Sequence, residues 1–323
     1  MRLFDKADYS FIQKARGAAF FSGALILVGV SAMVLNVQSI GSWQNYGVDF
    51  SGGSLIQVRF ETAVSATEIR SALGGAEAPP ITRFGEENEF VVRAGLGGEE
   101  MDVVRQRIEQ QLAAAFQESS FSIVRTETVG PKIGAELQTK AGLAILFSFI
   151  LTLIYIAIRF QFRFGLAAVI ATVHDIMITL GFLAVLRIEI ALPTVAAILT
   201  IVGYSLNDTI VVFDRIRENL NSRGGRRQDP VELINQSINE TLPRTILTSG
   251  TTLVVLLALL VVGGVVIKDF TSVLILGVIV GTYSSIFIAS PALLKIQRYF
   301  DRKEKLKGGK KRSSGPVSVS AGV

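Results

Sequence analysis

Six apolar runs, each close to the about 20 residues that cross a bilayer as a helix, dominate this chain. They fall at residues 17–36, 138–158, 165–186, 191–212, 245–266 and 271–293. In lipid every backbone N–H and C=O must be satisfied internally, so runs of this length are expected as helices. Composition agrees: half of the 323 residues are hydrophobic and only 18% are charged, against about 25% in a soluble domain. The expected fold class is an α-helical polytopic membrane protein with six transmembrane helices. The first run is too long for a signal peptide, and no small-residue cleavage site follows "SAMVLNVQSIG", so it is read as a retained helix. The chain has no cysteine, which excludes disulfides, thiolate metal sites and a cysteine nucleophile.

Lysine and arginine in the short connections set the expected orientation. The net charge is a modest +5, unevenly spread. Arg2, Lys6, Lys14 and Arg16 precede the first run, Arg159 and Arg163 lie between the second and third, and Arg215, Arg217, Arg223, Arg226 and Arg227 lie between the fourth and fifth. The segment 294–323 carries nine more, from Lys295 to Arg312, whereas the opposite connections hold only Arg187 and Lys268. Residues 1–16, 213–244 and 294–323 are therefore expected in the cytoplasm, and 37–137 outside it. The tail, basic and poor in apolar residues, is expected to be disordered and to rest on anionic membrane lipid.

The outside segment 37–137 predicts a domain of its own. "GSLIQVRF" (53–60) has strand character, and "SATEIRSAL" opens with Ser65 and Glu68 in a capping-box spacing. "PITRF" and "EFVVRA" predict two strands joined by a turn at "GEEN". Met101, Val104, Ile108, Leu112 and Phe116 recur at helical spacing, and "SFSIVRTETV" predicts a last strand. The order βαββαβ is that of a ferredoxin-like α+β domain. It holds no histidine, no paired catalytic carboxylates and no metal-ligand cluster, so it is read as a binding or docking module. At its start, Gly52 and Gly53 follow a turn at Asp49. Paired glycines admit backbone angles closed to other residues, which predicts a hinge or packing joint between the first span and the domain, or a plain tight turn.

Within 213–244, "QDPVELINQSINETLPR" offers Asp229 as N-cap and Pro230 at the first helical position. Val231, Ile234, Ile238 and Leu242 form one stripe. Two readings stand: an amphipathic helix at the membrane interface that docks a partner, or a linker helix packed on the bundle.

Polar groups inside the apolar runs carry the functional reading. "IVGYSLNDTIVVFD" (201–214) places Asn207 and Asp208 in a span, and Thr200, Tyr204 and Asp208 share one helical face. A charge at the bilayer centre costs about 2.5–3.5 kcal/mol on insertion scales. In the third run Thr172, Asp175 and Thr179 share a face beside His174, the chain's one histidine. "PRTILTSGTT" places Arg244, Thr248 and Thr251 or Thr252 on another stripe. With the fourth helix ending near residue 212, Asp208 is expected about 6–9 Å from that end, at a depth where Arg244 of the next helix can pair with it. Serine and threonine in spans ordinarily bond a backbone carbonyl or a neighbouring helix, and a lone Asp or Arg near a helix end can snorkel. Ionisable groups turned into a bundle mark ion paths or proton relays.

"YGVDFSGG", "VGPKIGAEL", "VHDIMITLGF", "GYSLNDTIVVFDRIREN" and "TLPRTILTSGTT" together resemble the SecD/SecF family of protein-translocase subunits, within the resistance-nodulation-division (RND) superfamily. The resemblance covers residues 10–300. Gly47-Val48-Asp49-Phe50-Ser51-Gly52-Gly53 departs conservatively from that family's Gly-Ile-Asp-Phe-Thr-Gly-Gly. The resemblance implies a six-helix half of an RND-type bundle, paired with a SecD subunit. It also implies association with the SecYEG channel and its accessory subunits, and the translocating preprotein as substrate. The proton-motive force across the bacterial inner membrane would drive late, ATP-independent translocation steps. By the same resemblance Asp208 and Arg244 match the family's essential membrane Asp and Arg, and a further relay carboxylate lies in SecD; His174, Asp175, Asn207, Tyr204 and Thr248 are read, from their own places in the spans, as supporting polar groups. The implied coupling ion is the proton, with no cofactor, no metal, no catalytic residue and no nucleic acid. Two other classes are weighed: half of an RND exporter for lipids or drugs, and a non-conducting scaffold. The outside segment of about 100 residues is short for such an exporter. No G-x-x-x-x-G-K-[ST] loop is present, so the chain has no ATP-binding motif of that kind.

Overall fold

The computed structural model describes residues 8–75, 78–84, 88–95, 100–116, 121–159, 161–222 and 228–312. Helix α1 (Phe11–Ile40) is followed by a short turn α2 (Val48–Ser51) and an α+β domain: β1 (Gly53–Phe60), α3 (Ala66–Ala72), β2 (Ile81–Arg83), β3 (Glu89–Ala94), α4 (Met101–Ala115) and β4 (Phe121–Val129). Five long helices follow: α5 (Pro131–Arg159), α6 (Phe162–Leu186), α7 (Leu192–Asn221), α8 (Pro230–Val262) and α9 (Gly264–Ser284). Helix α9 passes through a π-helical turn, Ser285–Ala289, into α10 (Ser290–Arg312). Six helices are long and apolar enough to cross a membrane, counting α9 and α10 as one over Ile267–Lys303. This is a multi-pass membrane protein.

The helices outrun the apolar windows that announce them. Helix α7 continues to Asn221, because nothing between 212 and 221 breaks it. Among the described residues no separate amphipathic helix precedes the fifth span. Helix α8 runs unbroken from Pro230 through Pro243 to Val262. Asp229 caps it, accepting from Val231 N at 3.1 Å and Glu232 N at 3.4 Å. An internal proline costs about 3 kcal/mol or more; packing offsets it, because Leu233, Ile234, Ile238 and Leu242 are buried in the same cluster as Phe164, Phe213 and Leu293. The stripe therefore packs on the bundle and is not free for docking. The fifth span ends at Val262, not 266, where Gly264 turns with φ 72°. The tail is not disordered from 294: its first part is helix to Arg312. Residues 313–323 and the first three residues of the "GEEN" turn, 85–87, lie outside the described residues, as do Arg2, Lys6, Arg223, Arg226 and Arg227.

Helices α6, α7 and α9 form the centre of the bundle, half-buried along their apolar windows, while α1, α5 and α8 are mostly on the outside. Close crossings use small residues, as expected where packing rather than water drives association. A Cβ on Gly29 of α1 would sit 2.6 Å from the Cα of Gly181 in α6. One on Gly281 of α9 would sit 2.9 Å from the Cβ of Ser205 in α7. The start of α1 is held from a distance. Ser10 makes no side-chain cap; instead Asn239 of α8 accepts from Tyr9 N at 3.0 Å and donates to Tyr9 O at 2.9 Å, and Asn235 accepts from Ile12 N at 3.0 Å.

The α+β domain has a four-stranded antiparallel sheet in the order β2-β3-β1-β4. Strand alternation places Ile56, Val58 and Phe60 of β1 in a core with Ile69 of α3 and Val104, Ile108 and Leu112 of α4. The Ser65–Glu68 capping box is formed in both directions. On the face away from the helices, Glu89 accepts from Gln57 at 2.9 Å and pairs with Arg59.

Candidate functional site

Asp208 sits thirteen residues before the end of α7 at Asn221, not four to six, and is 2% exposed. Its Oδ2 accepts from Ser249 Oγ of α8 and Thr282 Oγ1 of α9, both at 3.3 Å. Those two hydroxyls are 2.6 Å from each other, and Tyr204 OH donates to Ser249 Oγ at 3.4 Å. Three helices thus converge on one carboxylate with neutral donors. The ion pair with Arg244 is not formed: among the described residues Asp208 bonds only hydroxyls. The facing pairs Arg215–Glu240, Asn219–Ser237 and Asp208–Ser249 fix the register of α7 on α8. In that register Arg244 lies about one turn, 5–8 Å at 1.5 Å per residue, nearer the α7–α8 connection. Its side chain is exposed, yet near enough to act on Asp208 electrostatically without bonding it.

A second carboxylate lies across the α7–α9 contact. Asp175 of α6 is 1% exposed. It accepts from Ser284 Oγ at 2.7 Å, from Ser205 Oγ, and contacts His174 Nδ1 at 2.8 Å. His174 stacks on Tyr283, with ring centroids 6.2 Å apart and planes at 28°, and its buried Nε2 has no partner among the described residues. Ser205 and Asp208 are three residues apart on α7, and Thr282 and Ser284 two apart on α9, so one helix pair supplies both clusters. Gly281 presses against Ser205 between them. The π-helical turn begins at Ser285, directly after Ser284; such turns recur at functional sites.

The remaining sequence candidates divide. Thr172, Thr179, Thr200, Thr248 and Thr251 each donate to a carbonyl three or four residues back in their own helix. Asn207 is exposed beside buried Asp208. Ser205, Ser249, Thr282 and Ser284 were not singled out; their one signal is hydroxyls clustered near Asp208 and in "GTYSS". No group of three or more metal-ligating side chains occurs among the described residues.

The Asp49–Gly52–Gly53 segment forms a second site, at the other end of α7. Asp49 Oδ2 accepts from the N–H of Leu192, the first residue of α7, at 2.9 Å. Gly47 N donates to Ile190 O at 2.9 Å and Ile190 N to Asn45 O at 2.8 Å. Arg93 of β3 pairs with Glu189 at 2.7 Å. Burial raises the Glu189 carboxyl above its ordinary pKa; Arg93 opposes that rise, while Asp269 and Asp49 add to it. Gly52 has φ 71° and ψ 158°, a region essentially reserved for glycine. A Cβ there would meet Pro131 Cα at 2.9 Å, and one on Gly53 would meet Ala94 O at 2.7 Å. From α5, a Cβ on Gly134 would meet Gly52 N and Phe50 O, both at 2.9 Å. The glycines are thus a tight joint of β1 to the foot of α5, and not to the first span. Sequence reasoning also missed the tie to the α6–α7 connection, for which a single acid, Glu189, in a short connection was the only trace.

The chain is similar to known proteins over nearly its whole length. The family model of the protein export membrane protein SecD/SecF, C-terminal, matches residues 108–299, and that of the SecD/SecF GG motif matches 45–64. A protein translocase subunit SecF of Gemmatimonas aurantiaca is 44% identical over 310 residues, covering 94% of this chain and 91% of that protein. That of Vibrio alginolyticus is 43% identical over 291 residues, covering 88% and 89%. The crystal structure of SecDF, a translocon-associated membrane protein from Thermus thermophilus, superposes with a TM-score of 0.77 at 39% identity. It covers 92% of this chain, which spans 40% of that longer chain. With its GG motif, its six spans and identity of this order along nearly its whole length, the chain belongs to the SecD/SecF family, as a SecF-type protein translocase subunit.

Proposed function

We propose that this chain pairs with a SecD-type partner in the bacterial inner membrane, with both termini in the cytoplasm. There it uses the proton-motive force to assist late, ATP-independent steps of preprotein passage through the SecYEG channel. The observation that carries this reading is Asp208: a carboxylate in mid-span, buried, and held by hydroxyls from two other helices with no counter-charge in contact. Such a group is costly in lipid and marks a relay by default. Its protonation changes the charge between α7, α8 and α9, so the two protonation states favour different packings of those helices. The membrane potential supplies about 2.3 kcal/mol per charge per 100 mV.

Arg244 and Asn207 extend this reading to the partner. Both are exposed, Asn207 within its apolar run and Arg244 at the edge of the next, where lipid would leave them unsatisfied. A partner subunit that brings polar groups to this face of α7 and α8 satisfies them, and Arg244 is then placed to meet a carboxylate of that subunit.

The test is Asp208→Asn in vesicles holding the complex of both subunits and the channel, with an imposed proton gradient. The asparagine keeps the size and can keep both hydroxyl contacts, but it does not titrate. Gradient-stimulated preprotein release and proton flux should both be lost, while ATP-driven translocation persists. Wild-type release by this variant would make Asp208 a structural hydrogen-bond acceptor and the chain a scaffold. Arg244→Met should abolish the same step without altering the stability of the isolated chain.

A further inference from the structure

At the end of the bundle away from the sheet, a cleft of about 900 Å³ opens between α1, α6 and α10. Its floor is apolar, formed by Ile12, Ile170, Phe287, Ile288 and Pro291. Phe287 and Ile288 belong to the π-helical turn, whose extra residue per turn re-aims side chains relative to a regular helix. Three cations stand among the lining residues: Arg16 from α1, and Lys295 and Arg298 from α10, all exposed. No carboxylate is among those lining residues, and none of the three cations has an ion pair among the described residues. Other cations at this end do: Arg163 pairs with Asp301, and Arg215 with Glu218 and Glu240.

An apolar floor with unneutralised cations at its mouth suits an amphiphile with an anionic head. The groups that call for a protein partner, Asn207 and Arg244, lie on α7 and α8 instead. The volume is within the range of about 300–1,000 Å³ typical of ligand sites. Basic pockets between spans on the cytoplasmic side are where anionic head groups bind. We propose that this cleft binds an anionic phospholipid of the surrounding leaflet. An acyl chain lies over Ile170, Phe287 and Ile288, and the phosphate lies between Arg16, Lys295 and Arg298. The bound lipid links the first turns of α1 to α10.

The test uses the intact two-subunit complex, delipidated and titrated with phosphatidylglycerol or phosphatidylcholine, with bound lipid counted by native mass spectrometry. Wild type should retain phosphatidylglycerol over phosphatidylcholine. Each cation changed to glutamine should weaken that binding by roughly fivefold, and Arg16→Gln/Lys295→Gln/Arg298→Gln together should remove one bound lipid. Ala19→Trp, which fills the cleft without changing charge, should remove the same lipid. Survival of the two-subunit complex in the same spectra shows that the variants fold. Inorganic phosphate should not displace the lipid; displacement would mean that the cations form a free-anion site and would overturn the proposal. Equal retention of both lipids by wild type would overturn it, as would unchanged binding by the triple variant or by Ala19→Trp.

Discussion

Replacing Gly52 with alanine probes the joint between sheet and bundle at a point where backbone angle and space act together. At φ 71° and ψ 158° a side chain is strained by about 1–3 kcal/mol. The added Cβ would lie 2.9 Å from Pro131 Cα and 3.1 Å from Pro131 N. Both are backbone atoms at the start of α5, so relief requires the helix itself to move. Overpacking of this kind costs about 1–3 kcal/mol more. The sum, roughly 2–6 kcal/mol, is a large part of the about 5–15 kcal/mol that holds a typical domain together. Gly142 of α5 is the matched control: its Cβ would meet nothing within 4 Å and its φ is not positive, so Gly142→Ala should be neutral or stabilise by up to about 1 kcal/mol. Trp43 is the chain's one tryptophan. Its ring lies 6.3 Å from Tyr46, which lies 6.4 Å from Phe50 beside the glycines. Denaturant titration followed by Trp43 emission therefore reports this joint directly. Gly52→Ala should move the midpoint down and shift the native emission, with membrane insertion intact and export impaired. A midpoint equal to the Gly142→Ala control, with unchanged emission, would show that the segment is a compliant hinge and that the packing argument is wrong.

Other outcomes follow from single contacts. Glu189 has its folded pKa raised by burial, so its contribution to stability is full below its unfolded value of about 4.3. That contribution is lost as pH rises through the raised folded value. The thermal stability of wild type relative to Glu189→Gln should therefore fall across that window and be flat on either side; a rise would mean that the Arg93 pair outweighs burial. Asn239→Ala removes both bonds to Tyr9 and should cost about 0.5–2 kcal/mol, the range for a lost helix cap, read as a lowered unfolding midpoint. A cysteine at exposed Ser71 should react with impermeant thiol reagents in cells with an intact inner membrane, and one at Ser313 only after that membrane is opened. The reverse pattern would invert the orientation.

The six spans were legible because a bilayer-length apolar run has few other fates. Their ends were not. Helix α7 passes from lipid-compatible to charged residues without a helix breaker, and Pro243 looks like a stop until tertiary packing overrides it. That error carried into the site. Placing the end of the fourth helix near 212 put Asp208 beside Arg244, whereas the observed register puts Ser249 opposite it. Asp208 itself was legible, being a charge in an apolar run. Its ligands were not, since a span serine or threonine bonds its own helix more often than a neighbour: Thr172 and Thr248 do so, while Ser249 and Thr282 do not. Asn207 and Asp208 are adjacent in the sequence, yet successive helical residues point about 100° apart, and one is exposed while the other is buried. The Ser65–Glu68 capping box was fully legible because it depends on four consecutive residues and nothing else.

The route from Asp208 to the sheet domain differs from the one that chain order suggests. The domain is inserted between α1 and α5, so a force on the bundle would seem to reach it through those two helices. Yet α1 and α5 lie on the outside, whereas α7 carries Asp208 at its middle and the Asp49 contact at its first residue. Sixteen residues separate Leu192 from Asp208, about 24 Å of one continuous helix. A helix of that length, hydrogen-bonded throughout, moves as a rod. If Asp208 changes protonation as proposed, any displacement of α7 would arrive at the Asp49 cap, the Tyr46–Ile190 bridge and the Arg93–Glu189 pair together. The closely packed glycine joint at Pro131 holds the other side of the domain to α5. With one edge packed on α5 and another tied to α7, relative movement of the two helices would rotate the sheet, and a compliant glycine hinge would dissipate it.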